Sequence, residues 1–478
     1  WVFAGSTVVL ILHFFQKPLL ARYLGPDGLG LFSMALMIIG IIELIVIFGI
    51  DSALIKFVAE YTGTEHKHKR YSLVSSAFIT MMIMGMITSL ALFASANTFA
   101  CIFNMPSLSL LLKIYACIFP FSLTYAITIS YFNGLRKMRY YALIRVLQAF
   151  LTLSFILAFL MSGFGVKGAV LGTMFAIIIT TCVAIVIVKK IVHFTIRDYK
   201  KNMKMLASFG SRLFGANMIG EIYTSIDTIM IGYFLTSTDV GYYAVAISLS
   251  RFFWLVPRAM RTVAYPAISE YWAKDNHQAI NRLVDKSLKY SACILIFAGM
   301  FVTFFAKDIV DFMFTSEFSP AVLPLTILII GTVIYGIIGS IGGIFASVGK
   351  VSLTLIISAI HAVVSVLLNI ALIPIYGIVG AATATAASYV LTVGIILYYL
   401  RTALSIKLDT FWYTKMAILI GLSVALFYAF DFLNYYLSAM IALLLYAIVV
   451  IKYLLTKEDR DYFVNIAKHL LHGDFIKP

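Results

Sequence analysis

The amino-acid sequence predicts an all-α integral membrane protein. About fourteen transmembrane helices form two parallel six-helix lobes around a central cavity, and two further C-terminal helices follow. Three observations predict it. Of the 478 residues, 62% are hydrophobic and only 12% charged. Apolar runs of about twenty residues, the length that crosses hydrocarbon, recur along the whole chain. Glycine-rich stretches also repeat in the same order about 210 residues apart.

The composition excludes several classes. A soluble chain of this length needs far more polar surface to cover its core, and no stretch is polar enough to form a separate soluble domain. The four cysteines, Cys101, Cys117, Cys182 and Cys293, lie in or beside apolar runs. They have no metal-ligand spacing and no disulfide framework. The formal net charge of +15 follows from the excess of cations in cytoplasmic loops and tails. No basic tract is interleaved with aromatics on a soluble face, so no nucleic-acid partner is expected. Trp rather than Met at position 1 implies a native N-terminus further upstream. Lys17 and Arg22 follow the first run without a small-residue cleavage site, which makes that run a membrane helix rather than a signal peptide.

Runs long enough to cross the bilayer lie at 1–16, 29–50, 72–96, 109–132, 140–161, 168–188, 205–235, 240–269, 288–305, 320–347, 352–373, 378–400, 411–430 and 434–451. Connections after even-numbered runs, with the C-terminal tail, carry 26 of the 36 lysines and arginines, and connections after odd-numbered runs carry four. The even side is therefore the cytoplasmic side of a cell (plasma or inner) membrane, with both termini inside. The outer connections at 236–240 and 374–377 are barely turns, which disfavours an outward-facing enzyme site.

Two stretches recur. Tyr23-Leu24-Gly25-Pro26-Asp27-Gly28-Leu29-Gly30 parallels Phe234-Leu235-Thr236-Ser237-Thr238-Asp239-Val240-Gly241, and Gly165-Val166-Lys167-Gly168-Ala169 parallels Gly377-Ile378-Val379-Gly380-Ala381. Between them, Gly134-Leu135-Arg136-Lys137 parallels the segment around Val348-Gly349-Lys350. The offset spans an even number of helices, so both copies enter from the same side and the repeat is parallel, a transporter plan. The implied organisation is an N-lobe over 1–190, a linker at 191–204, a C-lobe over 205–400, two appended spans within 411–456 and a tail at 457–478.

These residues, in the segments 21–35, 223–246 and 376–385, resemble the polysaccharide-exporter branch of the MOP (MATE-like) flippase superfamily, which includes Wzx-type O-antigen flippases. The resemblance runs over essentially the whole chain. It implies alternating access and export of an undecaprenyl- or dolichyl-pyrophosphate oligosaccharide for polysaccharide biosynthesis. The competing reading is a MATE-like multidrug or cation antiporter. A membrane glycosyltransferase or polymerase, a pore and a scaffold fit less well.

A charge in mid-bilayer costs roughly 2.5–3.5 kcal/mol on insertion scales, so it faces a cavity or a partner. Six cations lie within the runs, Lys113, Arg145, Arg212, Arg251, Arg258 and Arg261, against the acids Glu43, Glu221 and Asp227. That balance suits an anionic substrate. Arg251, Trp254, Arg258, Arg261 and Tyr265 are spaced 3, 4, 3 and 4, one helical face. It reads as a guanidinium wall for phosphate, with Trp254 to stack on sugar; pairing with acids or headgroups is the plainer alternative. Arg22 at the outer mouth is a further phosphate contact. Arg145 and Gln148 share a face, and Gln148 falls opposite His361 in the repeat, so both are candidate cavity residues, although a packing histidine satisfies the same pattern. Lys113 sits where its stem can snorkel to the interface. Glu43, Glu221 and Asp227 are candidate ion-coupling carboxylates; Asp227 alternatively anchors an arginine of another helix.

The segment 343–350 resembles a phosphate loop, but five residues separate its glycines and Val351 replaces the Ser or Thr that would hold magnesium. No metal or nucleotide cofactor is therefore expected. Energy comes from the membrane potential or a proton or sodium gradient. The expected function is transport by a non-enzyme and a monomer, acting among membrane lipids on a lipid-linked oligosaccharide, beside glycan polymerase or glycosyltransferase machinery. Single cysteines at Lys200 and Thr236, in a chain lacking the native four, should label with an impermeant maleimide from opposite sides; labelling from one side refutes the orientation.

Overall fold

The computed structural model describes residues 2–430 and 434–454; within that range the side chains of 2, 3, 216, 217 and 221–224 also lie outside the description. The expected tail at 457–478 therefore falls outside it. The helices are α1 Val2–Ile47, α2 Ile50–Gly63, α3 Lys67–Ile102, α4 Pro106–Ala116, α5 Phe119–Gly134, α6 Met138–Met161, α7 Gly165–Lys189, α8 Tyr199–Phe234, α9 Ser237–Ser250, α10 Leu255–Ala273, α11 His277–Phe304, α12 Ala306–Met313, α13 Val322–Gly339, α14 Ile344–Ser347, α15 Val351–Leu404, α16 Thr410–Phe430 and α17 Tyr435–Val449. No strand occurs among the described residues.

Among them, ten helices are long and apolar enough to cross a membrane, or eleven if the pair α4 and α5, bent by 57°, is one span. This count falls short of fourteen for physical reasons. The 54 residues of α15 reach about 80 Å, against roughly 30 Å of hydrocarbon, so α15 is long enough for two crossings; α1, with 46 residues, is long enough for the same. The strongly charged α8 does not meet the apolar criterion.

Both long helices break at a glycine. Gly25 has φ 64° and ψ −176°, and Gly377 has φ 59° and ψ −138°, a backbone that a Cβ disfavours. The repeat is visible in such turns. Gly165, the counterpart of Gly377, has φ 55°. Arg136 and Gly349 both have positive φ, 57° and 80°. The lysine after each donates its N–H five residues back: Lys137 to the Phe132 carbonyl at 3.0 Å and Lys350 to that of Phe345 at 2.7 Å.

The helices group into two compact units. The first comprises Trp1–Leu249, Lys307–Leu328 and Leu355–Ser388. Its core joins α2, α3, α5, α7 and α8 through buried residues such as Leu54, Leu73, Ile127, Tyr131, Ala184 and Leu206. The connection after α7 is clamped to α3. Ser75 Oγ accepts the Thr195 N–H at 3.0 Å, and the Asn202 amide donates to Ser72 and Ser76 at 2.8 and 3.2 Å. The second unit comprises Ser250–Ala306, Ile329–Thr354 and the described residues from Tyr389 onward. There α16 and α17 dock on α11. Phe304 stacks on Phe427 at 4.4 Å and the Tyr446 hydroxyl donates to the Cys293 carbonyl at 3.2 Å. Lys289 of α11 meets Asp409, just before α16, at 2.9 Å.

Gly377→Val should lower the melting temperature of the detergent-solubilised protein, because left-handed backbone costs an L-residue roughly 1–2 kcal/mol. Gly40, around which a Cβ meets nothing within 4 Å, should tolerate alanine without loss. Equal tolerance at both positions would contradict the assigned backbone.

Candidate functional site

The two copies of the first repeat meet in the first unit. A methyl on Gly30 would overlap the Ser237 carbonyl, and one on Gly241 would overlap the Pro26 carbonyl. The contact is reciprocal, since Pro26 and Ser237 are themselves repeat partners. The Ser237 hydroxyl donates to the Asp27 carboxylate, and Asp239 accepts from the Thr236 N–H at 3.1 Å and its hydroxyl at 2.7 Å. Glycine is required because backbone presses on backbone. Beside this contact, Arg22 donates to the carbonyls of Phe312 and, at 3.2 Å, Met313, the C-terminal end of α12.

Asp227 of α8 is the best-defined polar centre. It is 5% exposed. Its Oδ2 accepts from the Tyr243 hydroxyl at 2.9 Å and the Thr385 hydroxyl at 2.7 Å, and its Oδ1 accepts from the Asn369 amide at 2.9 Å. Asn369 also donates to Ser365, and its own Oδ1 is buried without a hydrogen-bond partner among the described residues. The break at Gly377 explains the convergence. Asn369 and Thr385 each lie eight residues from it, about 12 Å along either arm of α15, so folding α15 back brings them to equal depth. Three neutral donors thus converge on the carboxylate. Sequence reasoning missed Tyr243, Asn369 and Thr385. The signal was Ser365 and Asn369, four residues apart in an apolar run.

The remaining candidates sit in separate environments. Glu43 lies beside Ser122 of α5. Arg145 donates to the Tyr141 hydroxyl at 3.0 Å and lies near His13 and Tyr125. Gln148, half-buried, donates to Thr152 at 3.3 Å. His361, its repeat partner, is 3% exposed and hydrogen-bonded to the Ser388 backbone. Arg212 of α8 is exposed, and Lys113 lies 6.0 Å from the Phe93 ring. The Glu221 side chain lies outside the described residues.

In the second unit the arginine stripe is not on one continuous α-helix. Arg251–Trp254 is a 3-10 turn between α9 and α10, so Arg251 leaves the even α-helical spacing, whereas Arg258, Arg261 and Tyr265 keep it on α10. Arg251, Arg258 and Arg261 are exposed; the Arg261 guanidinium lies beside Gly342 and the Tyr265 ring beside Gly343. Trp254 joins Tyr335 at 5.4 Å and Tyr389 at 6.3 Å, and the two tyrosines stack at 4.8 Å. Sequence reading did not anticipate these tyrosines.

Long apolar helices broken at glycines and a repeat within the chain make up a fold shared with solved membrane transporters. The lipid II flippase MurJ in an inward closed conformation shares the fold with a TM-score of 0.74 at 18% identity, over 94% of this chain and 97% of that one. An inward-facing multidrug resistance MATE family transporter of the MOP superfamily gives 0.71 at 15%, over 84% and 98%. The chain belongs to the polysaccharide biosynthesis protein family, whose sequence profile matches residues 19–323. The probable low-salt glycan biosynthesis flippase Agl15 of Haloferax volcanii is 29% identical over 207 residues, 43% of this chain and 44% of Agl15. The chain thus matches less than half of Agl15's length. Stage V sporulation protein B of Bacillus subtilis is 23% identical over 422 residues, 81% of this chain and 80% of that one.

Asp227→Ala should strand three buried donors at about 1–3 kcal/mol each and lower the melting temperature sharply. Asp227→Asn, which keeps an acceptor oxygen, should lose less. Equal melting of both variants and the parent would show that the carboxylate does not organise this cluster.

Proposed function

We propose that this chain is a flippase that moves a polyprenyl-pyrophosphate-linked oligosaccharide from the cytoplasmic to the outer leaflet by alternating access. Family membership supports transport for polysaccharide biosynthesis. The observation that carries the anionic substrate is the balance of charge at membrane depth, six cations to three acids. Hydrocarbon cannot replace the hydration of a pyrophosphate, and guanidinium forms bidentate hydrogen bonds with phosphate. Arg251, Arg258 and Arg261 would receive the headgroup, with Arg22, Arg145 and Arg212 as further contacts along its path. Trp254, Gln148 and His361 are the candidate sugar contacts. An exporter of cationic drugs would need the opposite balance.

The close contact around Gly30 and Gly241 would be the outer gate, which must part for release. Inside-negative potential, worth about 2.3 kcal/mol per charge per 100 mV, drives an anionic headgroup outward. A cation can add to this. The Asp227 carboxylate, the orphan Asn369 oxygen and the Thr385 hydroxyl form an oxygen donor set suited to a small hard cation, and Asp227 alone could take a proton. Glu43 and Glu221 are the other coupling candidates.

Arg258→Glu should abolish lipid-linked oligosaccharide transfer in reconstituted liposomes. Arg258→Lys should retain part of it, keeping charge but losing the bidentate fork. Full transfer by the glutamate variant at equal incorporation would remove this arginine from the substrate path. In the same assay at fixed potential, Asp227→Asn should erase any sodium or proton dependence; a dependence that survives in that variant and in a Glu43→Gln, Glu221→Gln double variant would exclude all three carboxylates.

A further inference from the structure

The second unit holds a cavity whose lining includes none of the stripe arginines. A hollow of about 500 Å³ opens where α10 ends, α11 begins and the elbow 403–407 joins α15 to α16. Its volume lies within the usual range for small-molecule sites, roughly 300–1,000 Å³. Five side chains that can donate hydrogen bonds line it, Trp272, Gln278, Asn281, Ser405 and Lys407, beside His277. Among the described residues no carboxylate does. Its floor is apolar, with Leu404 and Ile406 buried.

The walls are fixed. Ser405 adopts φ 53°, and the next N–H, of Ile406, turns back to the Leu400 carbonyl at 3.0 Å. The Lys407 N–H donates to the Asn281 side-chain oxygen at 3.0 Å, which leaves the Asn281 amide as a donor. Lys350 Nζ ties the Ala403 carbonyl at 2.8 Å, and Trp272 packs edge-on against His277 at 5.2 Å. Carboxylates on the adjoining turns are already engaged: Glu270 by Lys274, Asp275 by His277, and Asp285 and Asp409 by Lys289. The hydrogen bond from Lys289 holds the Asp409 carboxyl below the usual carboxylate range, so it stays charged and paired there. Lys407 is exposed on the lining, and Arg282 and Arg401, close in sequence to the lining residues Asn281 and Ala403, are exposed as well.

A lining of donors with an exposed lysine, Lys407, and an apolar floor select an amphipathic anion. We infer that this hollow binds an anionic phosphate headgroup at the cytoplasmic membrane surface. That chemistry comes either from a glycerophospholipid or from a soluble phosphate.

The test is a thermal-shift titration of the full chain in neutral detergent with short-chain phosphatidylglycerol, phosphatidylcholine and inorganic phosphate. Phosphatidylglycerol should stabilise at lower concentration than net-neutral phosphatidylcholine. Lys407→Glu should raise its midpoint concentration about tenfold, the worth of one charge-assisted hydrogen bond. Lys415→Glu should leave the midpoint unchanged: that cation lies over the Phe411 ring at 4.2 Å, outside the hollow. If inorganic phosphate competes with the same dependence on Lys407, the site stands and its ligand includes soluble phosphates. Gln278→Ala, which adds no charge, should also weaken binding, covering the case in which Lys407→Glu melts early without ligand. The inference is overturned if the two lipids act alike, if none of the probes shifts the melting, or if neither variant of the hollow changes the phosphatidylglycerol midpoint. Because the readout is binding rather than transfer, the result is independent of the flippase assignment.

Discussion

Hydrocarbon supplies no hydrogen-bond partner, and the architecture follows from that constraint. Backbone groups freed by a helix break must be satisfied locally. The chain therefore interrupts its long helices at single glycines, where one left-handed residue turns the path with little backbone exposed. Gly377 is the clearest case. It folds α15 back so that two arms at equal depth present Asn369 and Thr385 to one carboxylate. The same rule governs charge. Asp227 is tolerated in the interior because three donors replace its water, whereas the arginines of the second unit stay exposed.

Much of the fold was legible in the sequence because its signals are long. Apolar runs of membrane length place nearly every long helix, and two of the three motif pairs that suggested a repeat take positive φ at matching positions. Gly165 and Gly377 share it, as do Arg136 and Gly349. The count of spans was less direct, since α1 and α15 each join two helices across a single glycine, Gly25 or Gly377, and the charges of α8 lower its apolarity.

The candidate sites were legible only in part. Charged residues announce themselves in an apolar sequence, so Asp227, Glu43 and the arginines could be named. Their neighbours could not, because Tyr243, Asn369 and Thr385 are ordinary residues until tertiary folding gathers them. The 3, 4, 3, 4 spacing of the arginine stripe meets a local interruption. Helical periodicity presumes an unbroken helix, and the 3-10 turn at Arg251–Trp254 interrupts it. The hollow at the elbow had no sequence signature, since its donors come from two connections far apart in the chain.

The meeting of Asp227 with Thr385 bears on how the duplicated halves have parted company. The counterpart of Thr385 is Thr173, which donates to the Tyr115 hydroxyl at 2.8 Å. The counterpart of Asp227 is the uncharged Gln16. One ancestral threonine position thus serves a neutral tyrosine in one copy and a carboxylate in the other. A gene doubled in tandem is freed from keeping both copies alike: one can preserve packing while the other acquires a charge. Exchanging the halves would therefore not restore an equivalent molecule, even though their turns superimpose in kind. The asymmetry is one of division of labour, inherited from a symmetric start.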